Sequence, residues 1–279
     1  MRAMHQVKTI KLKPRNSVLL GTSALVCLAL SAPVMADDFI ITSSDGSTNG
    51  VGTKNGEAAA DITAGAIDGS DTVSLGIDLE TGGSVGIRTT NNNTEAQSNT
   101  VTVTGAGSIT TTGRFAHGIR NDGAYNTTTV SGRITTAGTD GTHGIANDGA
   151  YNTTTVSGSI KTTNNFAFGI YNKGDDNESI VSGSITTGTE TTGLFADGIN
   201  NFGDNNTTTI SGTVKATGAS SAALYNRSGD GNSFTLNEGA TIIGDILAND
   251  NATNSKLIFN LGASTSYAYS VSGRGEGTT

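Results

Sequence analysis

The chain has 279 residues, 24 acidic against 16 basic, a formal charge of −8 and a sequence pI near 4.8. Such an acidic chain lacks the basic stripe that neutralises phosphates, which excludes nucleic acid as a partner. Its single cysteine, Cys27, excludes an internal disulfide, a zinc-thiolate site and, since it lies in a segment read below as removed, a cysteine nucleophile.

In the first 36 residues, Arg2, Lys8, Lys11, Lys13 and Arg15 stand ahead of an apolar stretch at 17–30, interrupted by Gly21 and Thr22 and short for a bilayer span. Ala32-Pro33-Val34-Met35-Ala36 then supplies the small residues that signal peptidase accepts. Residues 1–36 are therefore expected to be a signal peptide cut between Ala36 and Asp37, in preference to a retained membrane anchor. The cut removes five basic residues and no acidic one, leaving 11 minus 24, or −13. It also implies export through the Sec pathway to the cell surface, the outer membrane or the medium.

Residues 37–70 lack clear register and are expected to form an N-terminal cap or irregular first coil around Phe39-Ile40-Ile41. From about residue 71 to 244 the text repeats. Gly118-Ile119 returns at Gly144-Ile145, Gly169-Ile170 and Gly198-Ile199 and decays to Ala223-Leu224, at spacings of 26, 25, 29 and 25. Each period holds three short Ile/Val/Thr-rich segments bounded by Gly or Asn, without helical spacing. Three strands and their turns fill one coil, and coils bury their few apolar side chains by stacking about 4.8 Å apart. The predicted fold is all-β, a single-stranded parallel β-helix with coils of about 25 residues.

Stacking predicts columns. Ile119, Ile145, Ile170, Ile199 and Leu224 make one; Val130, Val156, Val181, Ile210 and Leu236 a second; Ile134, Ile160, Ile185 and Val214 a third, all expected in the core. Asn121, Asn147, Asn172, Asn201 and Asn226 form a polar column, expected at a corner because Asn tolerates left-handed backbone angles and its amide bonds to the next coil. The Gly column after it is expected to relieve the same corner. The sequons at Asn126 and Asn152 are read as by-products of the repeat. Residues 245–279 are expected to hold closing coils around Ile246-Leu247 and Lys256–Leu261, then a truncated tail.

The basic leader, the Gly-Ile-x-Asn repeats and the phrase Gly239-Ala240-Thr241-Ile242-Ile243-Gly244-Asp245-Ile246 resemble the passenger region of a bacterial autotransporter. The resemblance implies a β-helical passenger, carried outward by an outer-membrane β-barrel and acting as an adhesin or aggregation factor. No barrel follows Gly273-Arg274-Gly275-Glu276-Gly277-Thr278-Thr279, so the translocator barrel is expected outside this chain. Host or neighbouring-cell glycans or proteins, and further copies of the chain, are the expected partners.

Chemistry is sparse. His117 and His143 share a register, but Phe168 and Asp197 follow them, and two His are poor for zinc, so a surface or corner position is expected. Asp175-Asp176-Asn177-Glu178 and Gly229-Asp230-Gly231-Asn232 faintly resemble calcium-binding turns and are read as solvated turns. Asp122 and Asp148 give way to Lys173 and Phe202, as on a solvated face. Tyr125 and Tyr151, and Phe115, Phe166 and Phe195, align as an aromatic stripe for glycans or a partner protein, with core or corner packing the preferred reading. Ser44-Asp45-Gly46-Ser47 is a polar loop, and neither a carboxylate pair nor a Ser/His/Asp set is found. The expected protein is not an enzyme and needs no cofactor. A secreted polysaccharide-acting β-helix and a calcium-stabilised repeat protein stand as rivals.

Overall fold

The computed structural model describes residues 37–44, 50–55, 57–62, 67, 69–83, 85–90, 94–189, 194–260, 262 and 271–274. The expected signal peptide, Ala36 included, lies outside them, as does most of the tail.

One coil shows how the sequence makes the fold. Thr127–Val130, Arg133–Thr136 and Ile145–Asn147 are strands of three or four residues. In the first, Thr128 and Val130 are buried while Thr127 is exposed, the period-two alternation of a strand with one covered face. Strands so short cannot persist alone, and each bonds to its counterparts one coil earlier and later. Val130 stands between Val103 and Val156, Ile134 between Ile109 and Ile160, and Ile145 between Ile119 and Ile170, all in parallel register.

Repeated along the chain, this gives three sheets, which among the described residues have 11, seven and eight strands. The sequence-derived columns are the core. Val130, Val156, Val181, Ile210 and Leu236, like Ile119, Ile145, Ile170, Ile199 and Leu224, are 0% exposed, and the column of Ile134, Ile160, Ile185 and Val214 is buried. The fold is an all-β parallel solenoid.

At the N-terminal end Asp38–Ser44 runs parallel to Thr72–Leu75, but its other edge pairs antiparallel with Gly50–Lys54, which pairs antiparallel with Glu57–Ile62. The sequence Asn55-Gly56, with Asn55 at φ 53°, suits the tight turn such a hairpin needs. One feature differs from the sequence reading: the Asn column lies within strands rather than at a left-handed corner. Asn121, Asn147 and Asn172 end the strands Ile119–Asn121, Ile145–Asn147 and Ile170–Asn172, facing inward and 0% exposed. The amide ladder itself is present: Asn121 Nδ2 donates to Asn147 Oδ1, Asn147 to Asn172, Asn172 to Asn201 and Asn201 to Asn226, at 2.8–3.0 Å.

The glycines that follow are selected by close approach, and Gly229 by a φ of 99° as well. A Cβ on Gly149 would lie 2.2 Å from the Gly123 carbonyl oxygen of the preceding coil, and one on Gly174 would lie 2.2 Å from that of Gly149. Each side chain would wedge the coils apart.

Candidate functional site

The left-handed corners sit elsewhere and carry unexpected side chains. Phe115, Tyr151, Phe166 and Phe195 have φ of 56°, 57°, 53° and 53°. For bulky residues this region costs about 1–2 kcal/mol each relative to Gly, and Asn is better tolerated. Asn205 and Gly231 do occupy the register of Tyr151, and Ser220 that of Phe195, all at positive φ. Burial does not compensate the rings, which are 54%, 49%, 48% and 46% exposed. Of the expected core or corner packing, the core half is corrected: the rings sit at corners, stacked on one another, with Phe115, Tyr151, Phe166 and Phe195 open to solvent. Tyr125 stacks on Tyr151 at 4.9 Å between centroids and Phe166 on Phe195 at 5.4 Å. Where Phe115 would continue toward Phe166, Gly141 intervenes at φ 65°, and a Cβ there would meet the Phe115 ring at 3.0 Å.

Two residues along the chain from the phenylalanines, a second column borders the third sheet. His117, His143 and Phe168 stack face to face at 4.8 and 4.7 Å. The two histidines are 8% exposed, so they are buried corner residues and not surface ones. His117 Nδ1 accepts the backbone N–H of His143 at 3.0 Å and His143 Nδ1 that of Phe168 at 3.1 Å, so each ring links two coils. Burial pushes His117 down to about 4, with help from the Arg120 guanidinium. Burial also holds His143 well below the usual imidazole range, and His117 beside it adds to the effect.

The column then changes chemistry. Asp197 follows Phe168 and is 3% exposed; its Oδ1 accepts Ala222 N–H at 2.8 Å and its Oδ2 accepts Asn200 Nδ2 at 2.7 Å. Burial raises this carboxyl to about 6 against the pull of those donors. Next to it the rings end and small residues take over, Ser220 after Phe195 and Ala222 after Asp197, which leaves a groove of about 240 Å³. Phe166, Phe168, Phe195, Asp197, Tyr225 and Arg227 line it. This volume lies below the roughly 300–1,000 Å³ of sites for drug-sized ligands, so the groove admits one small ring or side chain.

On the outward face of the third sheet, Arg88 and Arg120 lead into Ala146, Tyr171, Asn200 and Tyr225. Asp122 and Asp148, expected as drifting solvated residues, are tied into this charged end. Arg120 reaches Asp122 at 2.6 Å and Asp148 at 2.8 Å, Arg88 also bonds Asp122, and Lys173 lies 3.8 Å from Asp148. The face thus runs from an ion-paired end to an aromatic one. Among the described residues no group of three or more His, Cys, Asp and Glu is placed to hold a metal ion.

The buried ionisable groups predict opposing pH effects. An unfolded histidine takes up its proton near pH 6.5 but folded His117 only near 4, so its contribution is full above 6.5 and lost as pH falls toward 4. Asp197 acts in reverse, its contribution full below 3.8 and lost as pH rises toward 6. His117→Phe, which copies the ring found at Phe168, should lose about 3 kcal/mol less than the parent between pH 7 and 4 in urea-unfolding measurements. An unchanged pH slope would refute the assignment.

Comparison with known protein families, with curated proteins and with solved structures finds no match in any of the three. The class is therefore set by the fold, a parallel β-solenoid with a patterned outer face. Sequence reasoning had named the residues of the aromatic stripe and the His column but had missed the groove. The available signal was Asp197, a carboxyl in a register that His117, His143 and Phe168 fill with rings.

Proposed function

We propose that this chain is an exported surface module of the autotransporter-passenger type. Cleaved after Ala36 and carried outward by a translocator barrel, the module adheres to glycans or proteins of neighbouring cells through its aromatic corner and the adjoining face. The carrying observation is that Phe115, Tyr151, Phe166 and Phe195 occupy left-handed positions, where they are strained, and lie about half-exposed, where they gain little from the core. Strain that ring stacking, worth roughly 0.5–1.5 kcal/mol, offsets only in part marks a working surface. Weak contacts at successive coils add through multivalency.

The polysaccharide-cleaving alternative draws support from Asp197, a buried carboxyl raised to about 6 within a groove. Glycoside hydrolysis uses two carboxyl groups roughly 5–9.5 Å apart, and Asp197 is the one carboxyl among the residues lining this groove. Adhesion is accordingly the reading adopted.

Beads coated with the purified exported chain should be retained on cell layers and on a panel of immobilised glycans, above beads carrying an unrelated protein of equal negative charge. Retention no greater than that control would defeat the proposal. Release of reducing ends from any polysaccharide in the panel would favour the enzymatic rival. Loss of the fold with chelator would favour the calcium-stabilised one.

A further inference from the structure

A second polar ladder, distinct from Asn121 and its counterparts, runs through the corner before the first sheet. Its rungs are Asn99, Asn126, Asn152, Asn177, Asn206 and Asn232, each 0% exposed. At every rung the side-chain oxygen accepts the backbone N–H of the residue in the same register one coil earlier. Asn99 Oδ1 takes that of Asp71 at 3.1 Å, Asn126 that of Asn99 at 3.1 Å and Asn152 that of Asn126 at 2.8 Å. The rung before Asn99 is the exception. Asp71 does the same service for the nitrogen of Asp37, at 2.8 Å, with a carboxylate in place of the amide, and is 1% exposed.

A neutral amide suffices wherever the donor is a neutral peptide N–H, and burying a carboxylate there costs more unless its donor is charged. Asp37 directly follows Ala36, the last of the small residues expected at the processing site. The side chain of Asp37 is engaged elsewhere, by Lys54 Nζ at 2.6 Å and Asn55 Nδ2 at 2.7 Å. The described charges around this nitrogen include the Asp37 and Asp71 carboxylates and the Lys54 ammonium, and an ammonium at the Asp37 nitrogen would place a charged donor 2.8 Å from Asp71 Oδ1.

We infer that Asp71 is the receptor for the α-ammonium group released when the chain is cut between Ala36 and Asp37, so that processing locks the first coil. The inference rests on the export reading above. In the cut, water adds across the Ala36–Asp37 peptide bond: its oxygen goes to the Ala36 carbonyl carbon, which becomes a carboxylate, and its two hydrogens go to the Asp37 nitrogen, which becomes an ammonium. A single-donor amide is replaced by a charged three-donor group facing a buried acceptor. The uncut chain lacks that charge, so its first coil is held less firmly until the leader is gone.

The test is a cycle of four proteins melted at pH 7: the chain beginning at Asp37 and the chain retaining Ala36, each with Asp71 and with Asp71→Asn. With Asp37 first, Asp71→Asn should lower the midpoint by about 4–8 °C. With Ala36 retained, the same substitution should leave it unchanged or raise it. Equal shifts in both backgrounds would overturn the inference. If the Asn variants do not fold, acetylating the α-amine of the parent chain gives the same answer, because acetylation should lower the midpoint and an unmoved midpoint overturns the pairing. Failure of the export reading shows separately, as an intact leader on chain retained in the cell, and an exported chain whose mass starts at another residue overturns the junction.

Discussion

Asn152→Ala should cost about 3–6 kcal/mol, one of the largest losses available in this chain. The Asn152 side chain accepts both the backbone N–H and the Nδ2 of Asn126, at 2.8 and 3.0 Å, and donates to the Gly149 carbonyl at 2.8 Å. Truncation removes three hydrogen bonds and leaves donors and an acceptor in a place water does not reach, at about 1–3 kcal/mol for each orphaned group. In a solenoid the defect is not shared evenly. Stability is a sum over coils and their interfaces, so a damaged central coil divides the stack into shorter ones. Hydrogen exchange should show lost protection at Thr127–Val130 and Thr153–Val156, with smaller effects toward the ends. Uniform loss would contradict the account.

Gly158→Ala should be comparably severe although it adds a single methyl group. The new Cβ would stand 1.9 Å from the Gly132 carbonyl oxygen and 2.5 Å from that of Ser131, both backbone atoms of the preceding coil. No rotamer relieves a backbone clash, so the coils must separate where Gly158 N–H bonds Val130 and Ser159 N–H bonds Gly132, each at 2.9 Å. Overpacking alone costs about 1–3 kcal/mol, and the stretched hydrogen bonds bring the expected loss to about 3 kcal/mol or more. Gly105→Ala is the matched control, since a Cβ there meets nothing within 4 Å. Urea unfolding of the two variants should separate them clearly, with Gly105→Ala within about 0.5 kcal/mol of the parent. A mild Gly158→Ala would mean that the coils are not in backbone contact at this turn.

What could be read from the sequence follows from what a period specifies. Repetition near 25 residues fixes which side chains share a column, and hydropathy then sends Ile119, Val130 and Ile134 inward without ambiguity. Polar columns were harder, because the same residue type suits a turn, a solvated edge or a buried ladder. Asn121 was assigned a ladder for an incorrect backbone reason. Asn126 and Asn152 read as sequons, although the column they belong to persists unchanged while the residues just before it vary from Tyr125 to Asp176 and Asn205. That persistence was the available sign of burial. The sequons themselves are enclosed: Asn126 and Asn152 are 0% exposed.

The candidate site was less legible for a related reason. Spacing placed Phe115, Phe166 and Phe195 in one register but could not say on which side of a turn a ring would fall, and aromatic residues ordinarily indicate core. Their left-handed backbone is a property of the corner, visible only once the turn is built. His117 and His143 show the converse. Imidazoles suggest a surface, yet their Nδ1 atoms replace the Asn oxygen in bridging successive coils, a role that a column continuing as Phe, Asp and Ala does not disclose.

These corners also provide the most direct test of the functional claim. Phe115, Phe166 and Phe195 should be replaced together by Asn, which relieves the left-handed strain of about 1–2 kcal/mol per residue and forfeits ring stacking worth roughly 0.5–1.5 kcal/mol. The account predicts a melting midpoint within about 3 °C of the parent or above it, and retention of coated beads on cells reduced about tenfold or more. Full retention by a stably folded triple variant would contradict the claim that this aromatic corner is the adhesive surface.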